Sequence, residues 1–516
     1  MKKLLAFAFA AVLATTRAAL ADDATDAKIQ ALQAQMDYFK TQLEILKAQR
    51  AAPPRAPEAR AAPPPGGIYK KPGDALTFTN GGADEVTLYG NLDLSLDHTT
   101  KGLKNFYPSS GDSPTGNVSW QSAVSTNLSY IGVRGLHKIG KRSNVVYQLE
   151  TQLDISSTAG TVYSNSNNDN VVKGALTSRN SFLGVSTPIG TFRFGKTDAP
   201  YKNSTARMNP FNGQLGDYAV IMGNSGGDNR VEFGTRLDHS LWWDSPSNWG
   251  GLALSLLVSP GQNRSSDNGI TASGEVGCAG GNAPGSGAGA PLCNDGSFGS
   301  AYSVMGSWTN PRKNFYLTSA YEMHKSVNRM GDLAGDPRDI GDEQAWKVGF
   351  QWALSQHTTV NAIYEELSRS IAQALQFQNE RQRTGYWLAL TQQLDKNSNM
   401  NFGWAHANAS VGDLPQHNTP LAGINPDNSA NMYTFAYKHN LDRHFSWYVD
   451  YALTLNHPDA HYDLGAGGRG LTTDCHDGSS ITAFDPTVNP PVSGVGPRCY
   501  TGGRIQGLSG GLKFQF

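Results

Sequence analysis

The four cysteines are the residues of this chain whose side chains can most readily form covalent bonds. Their spacing is that of two local pairs. Cys278 and Cys293 flank a stretch rich in Gly and Ala, and Cys475 and Cys499 flank one rich in Gly and Pro. In an exported protein an even number of cysteines favours disulfides, and four cysteines allow three pairings. We favour Cys278–Cys293 and Cys475–Cys499, because each bond would close one long loop.

The sequence does not bring a nucleophile and a general base together. It contains no His-Glu-x-x-His site, its 12 histidines are scattered, and no Cys-x-x-Cys-His motif is present for covalent haem. The chain carries 42 Lys and Arg against 43 Asp and Glu, a balance too even to predict a nucleic-acid partner. We therefore expect no enzyme, no metal site and no cofactor.

Charged and apolar side chains instead alternate along extended segments. In residues 85–97, Leu88, Leu92 and Leu94 fall on one face, and acidic and polar side chains fall on the other. Alternation of this kind suits a strand that separates lipid from water, and also a soluble sheet with one buried face. Length favours the first reading, because a transmembrane strand needs roughly 9–11 residues.

The last strand has the same design and ends the chain. Leu512, Phe514 and Phe516 fall on one face, and Lys513 and Gln515 fall on the other. An apolar stripe with a terminal aromatic residue suits the closing strand of an outer-membrane barrel. We interpret the three apolar residues as a carboxyl-terminal assembly signal.

We count about sixteen such segments and predict an all-β, 16-stranded antiparallel transmembrane β-barrel. Short turns alternate with long loops between the segments, which an up-and-down barrel requires and a secreted sandwich or propeller does not. Only 38% of residues are hydrophobic despite 20 Tyr, 20 Phe and 10 Trp, as a barrel with a wet interior allows. The predicted strands cover residues 84–98, 118–136, 142–156, 174–188, 190–198, 228–245, 250–260, 299–310, 313–324, 343–355, 357–369, 380–394, 397–408, 430–441, 444–456 and 501–516.

Three segments precede the predicted barrel of residues 80–516. Residues 1–21 have the positive start, short apolar run and small-residue end of a signal peptide. Residues 22–50 place apolar side chains three and four positions apart, which predicts a periplasmic coiled-coil helix, or alternatively an amphipathic helix on some surface. Residues 51–79 form a Pro-rich linker.

Short segments in a fixed order carry a family resemblance: Tyr89-Gly90, residues 131–135 (IGVRG), 178–184 (SRNSFLG), 190–196 (GTFRFGK), 243–246 (WDSP) and the terminal Phe516. Together they resemble the Gram-negative trimeric porins, nearest the β-proteobacterial branch. The resemblance implies an outer-membrane homotrimer, surrounded by lipid and inserted by the barrel-assembly machinery. The amino-terminal stalk, meaning the predicted coiled-coil helix of residues 22–50 with the Pro-rich linker after it, is not part of the standard member and resembles the periplasmic coiled coils of some substrate-selective porins. Its candidate partner is peptidoglycan or a periplasmic protein.

In that family the loop after strand five folds into the channel. The corresponding residues here, about 199–227 between the fifth and sixth predicted strands, contain Pro210 and Phe211 but lack the acidic residue often found there. The resemblance assigns Arg134 and Arg179 to basic positions in strands two and four.

Strand parity adds further candidates for the constriction of the channel. Arg193, Arg230 and Arg236 should point inward. The loop and its ends offer acidic and basic groups to face them: Asp198, Asp217, Asp228, Lys202 and Arg207.

The expected function is passive diffusion of small hydrophilic solutes and ions through a water-filled channel. The basic wall predicts a lean toward anions, although inward carboxylates on strands one and three could reverse it. The alternatives are a channel specific for a sugar, phosphate or organic acid, and a tether between the outer membrane and the cell wall. In the sugar case, inward aromatic side chains such as Tyr89 and Tyr448 would offer stacking surfaces.

Overall fold

The structure is a computed structural model of the chain. It describes residues 67–70, 76–80, 84–107, 115–153, 155–156, 179–222, 233–234, 236–260, 300–328, 340–370, 372–373, 382–410, 427, 429–457, 460, 462, 464 and 503–516. All of these belong to one compact unit, residues 64–516. The predicted signal peptide, coiled-coil helix and all four cysteines lie outside the described residues.

Strands make up most of the described chain. They are β1 Gly67–Lys70, β2 Leu76–Asn80, β3 Asp84–Tyr107, β4 Thr115–Thr126, β5 Tyr130–Lys138, β6 Asn144–Gln152, β7 Ser181–Thr187, β8 Gly190–Asp198, β9 Arg236–Asp244, β10 Leu252–Pro260, β11 Ser300–Thr309, β12 Phe315–Asn328, β13 Ile340–Ala353, β14 Thr358–Ser370, β15 Arg383–Gln393, β16 Ser398–Ala407, β17 Ala430–Asn440, β18 Phe445–Asn456 and β19 Gly503–Gln515.

The strands from β3 to β19 form a closed antiparallel barrel of 16 strands, as predicted. β4 and β5 count as one strand, because both pair with β3 in nearly the same register on either side of an interruption at Leu128. Leu128 has a positive φ of 54°, which lets the chain bulge there. Each later strand pairs with the next, and β19 returns to pair with β3.

The two faces of the barrel wall have the predicted polarity. Trp346, Phe350 and Trp352 are 40%, 37% and 47% exposed on the outer face, whereas Lys347 between them is 4% exposed on the inner face. The same alternation places Leu512 and Phe514 outside. Outer-face apolar side chains suit contact with hydrocarbon, and inner polar ones suit a lumen.

The short turns lie where the sequence predicts them, and their first polar side chain holds them closed. In the turn before β16, Asp395 Oδ1 accepts the backbone N–H groups of Asn397 and Ser398 at 2.7 and 2.8 Å. In the turn before β18, Asp442 Oδ1 accepts those of His444 and Phe445 at 2.6 and 2.7 Å. These N–H donors hold the pKa of both carboxyls below the ordinary value.

Two features differ from the sequence prediction. The segment predicted as a linker contains β1 and β2, and β2 pairs with the start of β3 just beyond the end of β19. The strand predicted over 228–245 begins only at Arg236, and Leu237 is buried inside rather than facing lipid. His239 has a positive φ of 50°, so the predicted alternation does not hold through this strand.

The described helical segments of three residues or more lie between β8 and β9. They are α1 Pro200–Thr205, a 3-10 turn Ala206–Met208 and α2 Ala219–Met222. Among the described residues, no helix is both apolar and long enough to cross a bilayer.

Candidate channel constriction

The segment of residues 199–222, called here the inserted loop, lies against the inner wall of the barrel. Its α1 contacts β11 and β12, and its α2 contacts β15 and β16. Pro200 at the first turn suits a helix start, because its missing N–H would have no partner there. The backbone N–H of Tyr201 donates to Ser303 Oγ at 2.9 Å, and its hydroxyl donates to Glu365 Oε2 at 2.6 Å.

Wall side chains also hold the middle of the inserted loop. Trp387 Nε1 donates to the carbonyl of Met208 at 3.1 Å. Lys438 Nζ donates to the carbonyl of Pro210. Phe211 is fully buried, with its ring edge-on to Trp387 at a centroid distance of 6.0 Å. Pro210 and Phe211 therefore anchor the loop to the wall.

Glycines of the wall leave room for the apolar side chains of the loop. A Cβ on Gly349 would lie 2.9 Å from Met208 Sδ, and one on Gly403 would lie 2.8 Å from Phe211 Cε2. On Gly385 it would lie 3.0 Å from the side chain of Met222. These contacts are at or below the closest approach of real Cβ atoms, so the loop packs directly on the strand backbones.

Asp217 is hydrogen-bonded within the inserted loop. It accepts hydrogen bonds from Asn209 Nδ2 at 2.7 Å and from the backbone N–H groups of Gly213 and Ala219 at 3.0 and 3.1 Å. Burial raises the pKa of the Asp217 carboxyl, although these donors oppose the shift. These hydrogen bonds make Asp217 part of the internal structure of the loop, and its place opposite the basic wall stays a prediction.

Asp198 and Arg236 form the root of the inserted loop. An Arg236 terminal nitrogen lies 3.3 Å from Asp198 Oδ1, and Lys202 Nζ lies 2.7 Å from the same oxygen. Asn180 bridges the pair, since its Nδ2 donates to Asp198 and its Oδ1 accepts from Arg236 Nε. Burial lowers the pKa of Lys202, against the attraction of Asp198. Asp198 is thus a neutralised anchor.

Arg134 and Arg179 lie on a different part of the wall, on either side of two tyrosines. The guanidinium of Arg134 lies 5.0 Å from the ring centroid of Tyr89, and that of Arg179 lies 4.7 Å from the ring centroid of Tyr130. The two rings are 6.2 Å apart and edge-on. Arg179 Nε also pairs with the buried Glu150 at 2.5 Å, whereas Arg134 is exposed.

The remaining predicted arginines do not join this cluster. Arg193 points inward as expected, but it pairs with Asp244 and contacts the rings of Phe182 and Trp242 in the half of β8 nearer the short turn. Arg230 and Asp228 lie outside the described residues.

Neither tyrosine proposed for sugar stacking offers a free ring. Tyr448 is 3% exposed, and its hydroxyl donates to Asp93 Oδ1 at 2.9 Å. The ring of Tyr89 is covered by Arg134, and its hydroxyl donates to Glu150 Oε2 at 2.9 Å. Both tyrosines therefore organise the wall.

Three wall residues that bind the inserted loop were not predicted from the sequence: Glu365, Trp387 and Lys438. Their only sequence signal is an inward polar or bulky side chain at the middle of a strand, which many wall residues share. These residues bind the inserted loop only because the folded chain brings that loop, which is distant in sequence, against their strands.

Three segments match catalytic patterns that the sequence analysis did not use. Residues 190–197 fit Gly-x-x-x-x-Gly-Lys-Thr, and residues 507–511 and 223–227 fit Gly-x-Ser-x-Gly. The first lies along β8 and the second along β19, as extended wall strands. Phosphate binding needs a loop before a helix, and a nucleophile elbow needs a strand-to-helix turn, so neither segment has the required context. Residues 223–227 lie outside the described residues.

The charges of the described interior differ in exposure. Eight inward carboxylates are 5% exposed or less: Asp93, Asp97, Glu150, Asp217, Glu322, Glu343, Glu365 and Asp450. Asp198 and Asp244 are 15% and 38% exposed and are paired with basic side chains. Four basic side chains are buried as well: Arg236, Lys347, Arg369 and Arg383. The basic side chains Arg134 and Arg207 are exposed, and those of Lys202 and Lys513 are 38% and 32% exposed. Within the described residues, no three His, Cys, Asp or Glu side chains are grouped to hold a metal ion.

Comparison with known proteins agrees with this architecture. A model of the Gram-negative porin family matches residues 59–458. The barrel is similar to the anion-selective porin from Comamonas acidovorans, with a TM-score of 0.56 and 14% identity over 84% of this chain and 100% of that one. It is also similar to OmpF of Salmonella typhi in complex with daunomycin, with a TM-score of 0.50 and 16% identity over 84% and 98% of the two chains. No curated protein sequence matches the chain. Because the family match covers more than half of the sequence, the protein belongs to the Gram-negative porin family and forms a diffusion channel in the outer membrane.

Proposed function

We propose that this channel passes small anions in preference to cations. The observation that carries the proposal is the exposure of two basic side chains: most inward carboxylates are buried or paired, whereas Arg134 and Arg207 are exposed. A mobile ion interacts most with charges that solvent reaches, because buried and paired charges are largely neutralised by their partners. The accessible surface therefore attracts anions.

Reversal potentials in a KCl gradient across a planar bilayer test this proposal. In an anion-preferring channel the reversal potential has the same sign as the equilibrium potential of chloride. Replacing Arg134 by Gln should reduce the magnitude of this reversal potential. A reversal potential of the sign set by potassium would contradict the proposal. Salt dependence offers a second readout, because exposed charges are screened as ionic strength rises.

A sugar-specific channel has less support, because the rings of Tyr89 and Tyr448 are already occupied. A tether to the cell wall would depend on residues 22–72, and deleting them separates the two roles. A tether mutant loses envelope integrity, whereas a channel keeps its conductance. We also propose a homotrimer, surrounded by lipid and inserted by the barrel-assembly machinery, and the support for these three is the family resemblance. The support for a peptidoglycan or periplasmic partner is the predicted coiled-coil segment of residues 22–50.

A further inference from the structure

Arg207 is a basic residue at the turn of the inserted loop, and its neighbours are fixed on the wall. It lies in the 3-10 turn Ala206–Met208, between Thr205 and Met208, both fully buried. The hydroxyl of Thr205 is within 2.9 Å of the Tyr218 hydroxyl, and the carbonyl of Met208 accepts the bond from Trp387. The exposed side chain of Arg207 thus projects from a rigid backbone.

The guanidinium of Arg207 contacts an aromatic ring on one face and is hydrogen-bonded at its Nε edge. Its central carbon lies 4.4 Å from the ring centroid of Tyr316. Its Nε donates to Gln351 Oε1 at 3.0 Å, and Gln351 Nε2 donates to Asn361 Oδ1 at 2.8 Å. The orientation of the group is therefore set before any ligand arrives, so little side-chain entropy would be lost on binding.

The terminal nitrogens of Arg207 have no hydrogen-bond or ion-pair partner among the described residues. Arg179 differs, because Glu150 neutralises it at 2.5 Å. Arg236 differs in the same way, because Asp198 lies at 3.3 Å. Stacking on a ring occupies the face of a guanidinium and leaves its terminal N–H edge available.

We propose that Arg207 is a binding site for oxyanions passing through the channel, namely carboxylates or phosphate. A guanidinium presents two parallel N–H groups that match two oxygens on one carbon or phosphorus atom. Chloride has no second acceptor, so this site discriminates among anions of similar charge. The inference rests on the proposed anion preference and adds a specific residue and a ligand class to it.

Channel conductance measured against concentration tests the site, with potassium acetate and potassium phosphate as separate probes. Saturation at lower concentration reports binding within the channel. We expect Arg207→Gln and Arg207→Lys each to raise the half-saturation concentration at least three-fold in one or both series. Glutamine removes the positive charge, and lysine keeps the charge but lacks the two parallel N–H groups of the guanidinium. Arg312→Gln is the matched control, since it removes the same charge from an exposed turn between β11 and β12 and should change nothing. The series that shifts identifies the oxyanion.

Two results would overturn the site. One is an Arg207→Gln channel that saturates like Arg312→Gln in both series, and the other is an Arg207→Lys channel that saturates like the unmodified protein. The reversal potential of the unmodified channel in KCl is measured beside them. If the reversal potential shows anion preference and the Arg207 variants saturate like the unmodified channel, the site alone is rejected. If the reversal potential shows cation preference, the proposed function is rejected. Equal heat-induced shifts in electrophoretic mobility show that the variants form the same barrel.

Discussion

The ring of the terminal Phe516 lies directly on Gly90 at the seam of the barrel. The N–H of Gly90 donates to the carbonyl of Phe516 at 2.9 Å, and the N–H of Phe516 donates back at 3.1 Å. A Cβ on Gly90 would be 2.5 Å from Phe516 Cζ. The first and last barrel strands thus meet through a close contact that only glycine permits.

Gly90→Val should weaken closure of the barrel, because the added carbons displace either the Phe516 ring or β3. Overpacking of this kind costs about 1–3 kcal/mol. The readout is the temperature at which the folded electrophoretic band converts to the unfolded one. Gly510→Val is the control, since this neighbouring outward glycine has open space around it and should tolerate the change. Equal transition temperatures for the two variants would refute the role of the contact.

Gly403→Ala should shift the inserted loop and change the single-channel conductance. The new Cβ would lie 2.3 Å from the Trp387 ring and 2.8 Å from the Phe211 ring, and neither rigid ring can yield easily. Gly306→Ala is the matched control, because its nearest neighbour is at an ordinary 3.5 Å. Unchanged conductance in both variants would show that the loop does not depend on this close packing.

Tyr201→Phe should loosen the start of the inserted loop and increase current fluctuations in single-channel records. Glu365 Oε1 has no hydrogen-bond partner in the described part of the barrel, so losing the Tyr201 hydroxyl leaves both buried oxygens unsatisfied. Such a loss costs about 1–3 kcal/mol of unfolding free energy. Tyr316→Phe removes a bond of 3.0 Å to the Ser204 carbonyl and should have a smaller effect. Larger current fluctuations in Tyr316→Phe than in Tyr201→Phe would contradict the role of the Tyr201–Glu365 hydrogen bond.

Asp442→Ala should lower thermal stability at neutral pH and have little effect in strong acid. The folded-state pKa of Asp442 is lowered by the N–H groups of His444 and Phe445. Its contribution is therefore present above the unfolded pKa of about 3.9 and is lost as the pH falls through the lowered value. Unfolding temperatures at pH 7 and pH 2 measure the effect. Asp442→Asn keeps an acceptor oxygen and should lose less at pH 7, and a pH-independent difference would reject the linkage.

The sequence alone determined most of the barrel strands, their faces and the short turns, with β9 as an exception. The segment predicted over 190–198 is β8, and the alternation of Trp346 with Lys347 assigns the outer and inner faces correctly. These features are local, because successive residues of a strand point to opposite sides and the solvent on each side selects the side chain.

Only the tertiary structure decided which charges of the constriction stay accessible. Asp198 at the root of the inserted loop and Asp217 within it are acidic, yet Asp198 is paired with Arg236 and Asp217 is buried by its partners, whereas Arg207 remains exposed. Those partners and supports, such as Gln351 at the edge of the Arg207 guanidinium, are up to 144 residues away in the chain. No periodic pattern encodes such contacts, because closing the barrel brings distant strands under one loop. The barrel follows from a repeated local pattern, and its selectivity follows from the packing of that loop.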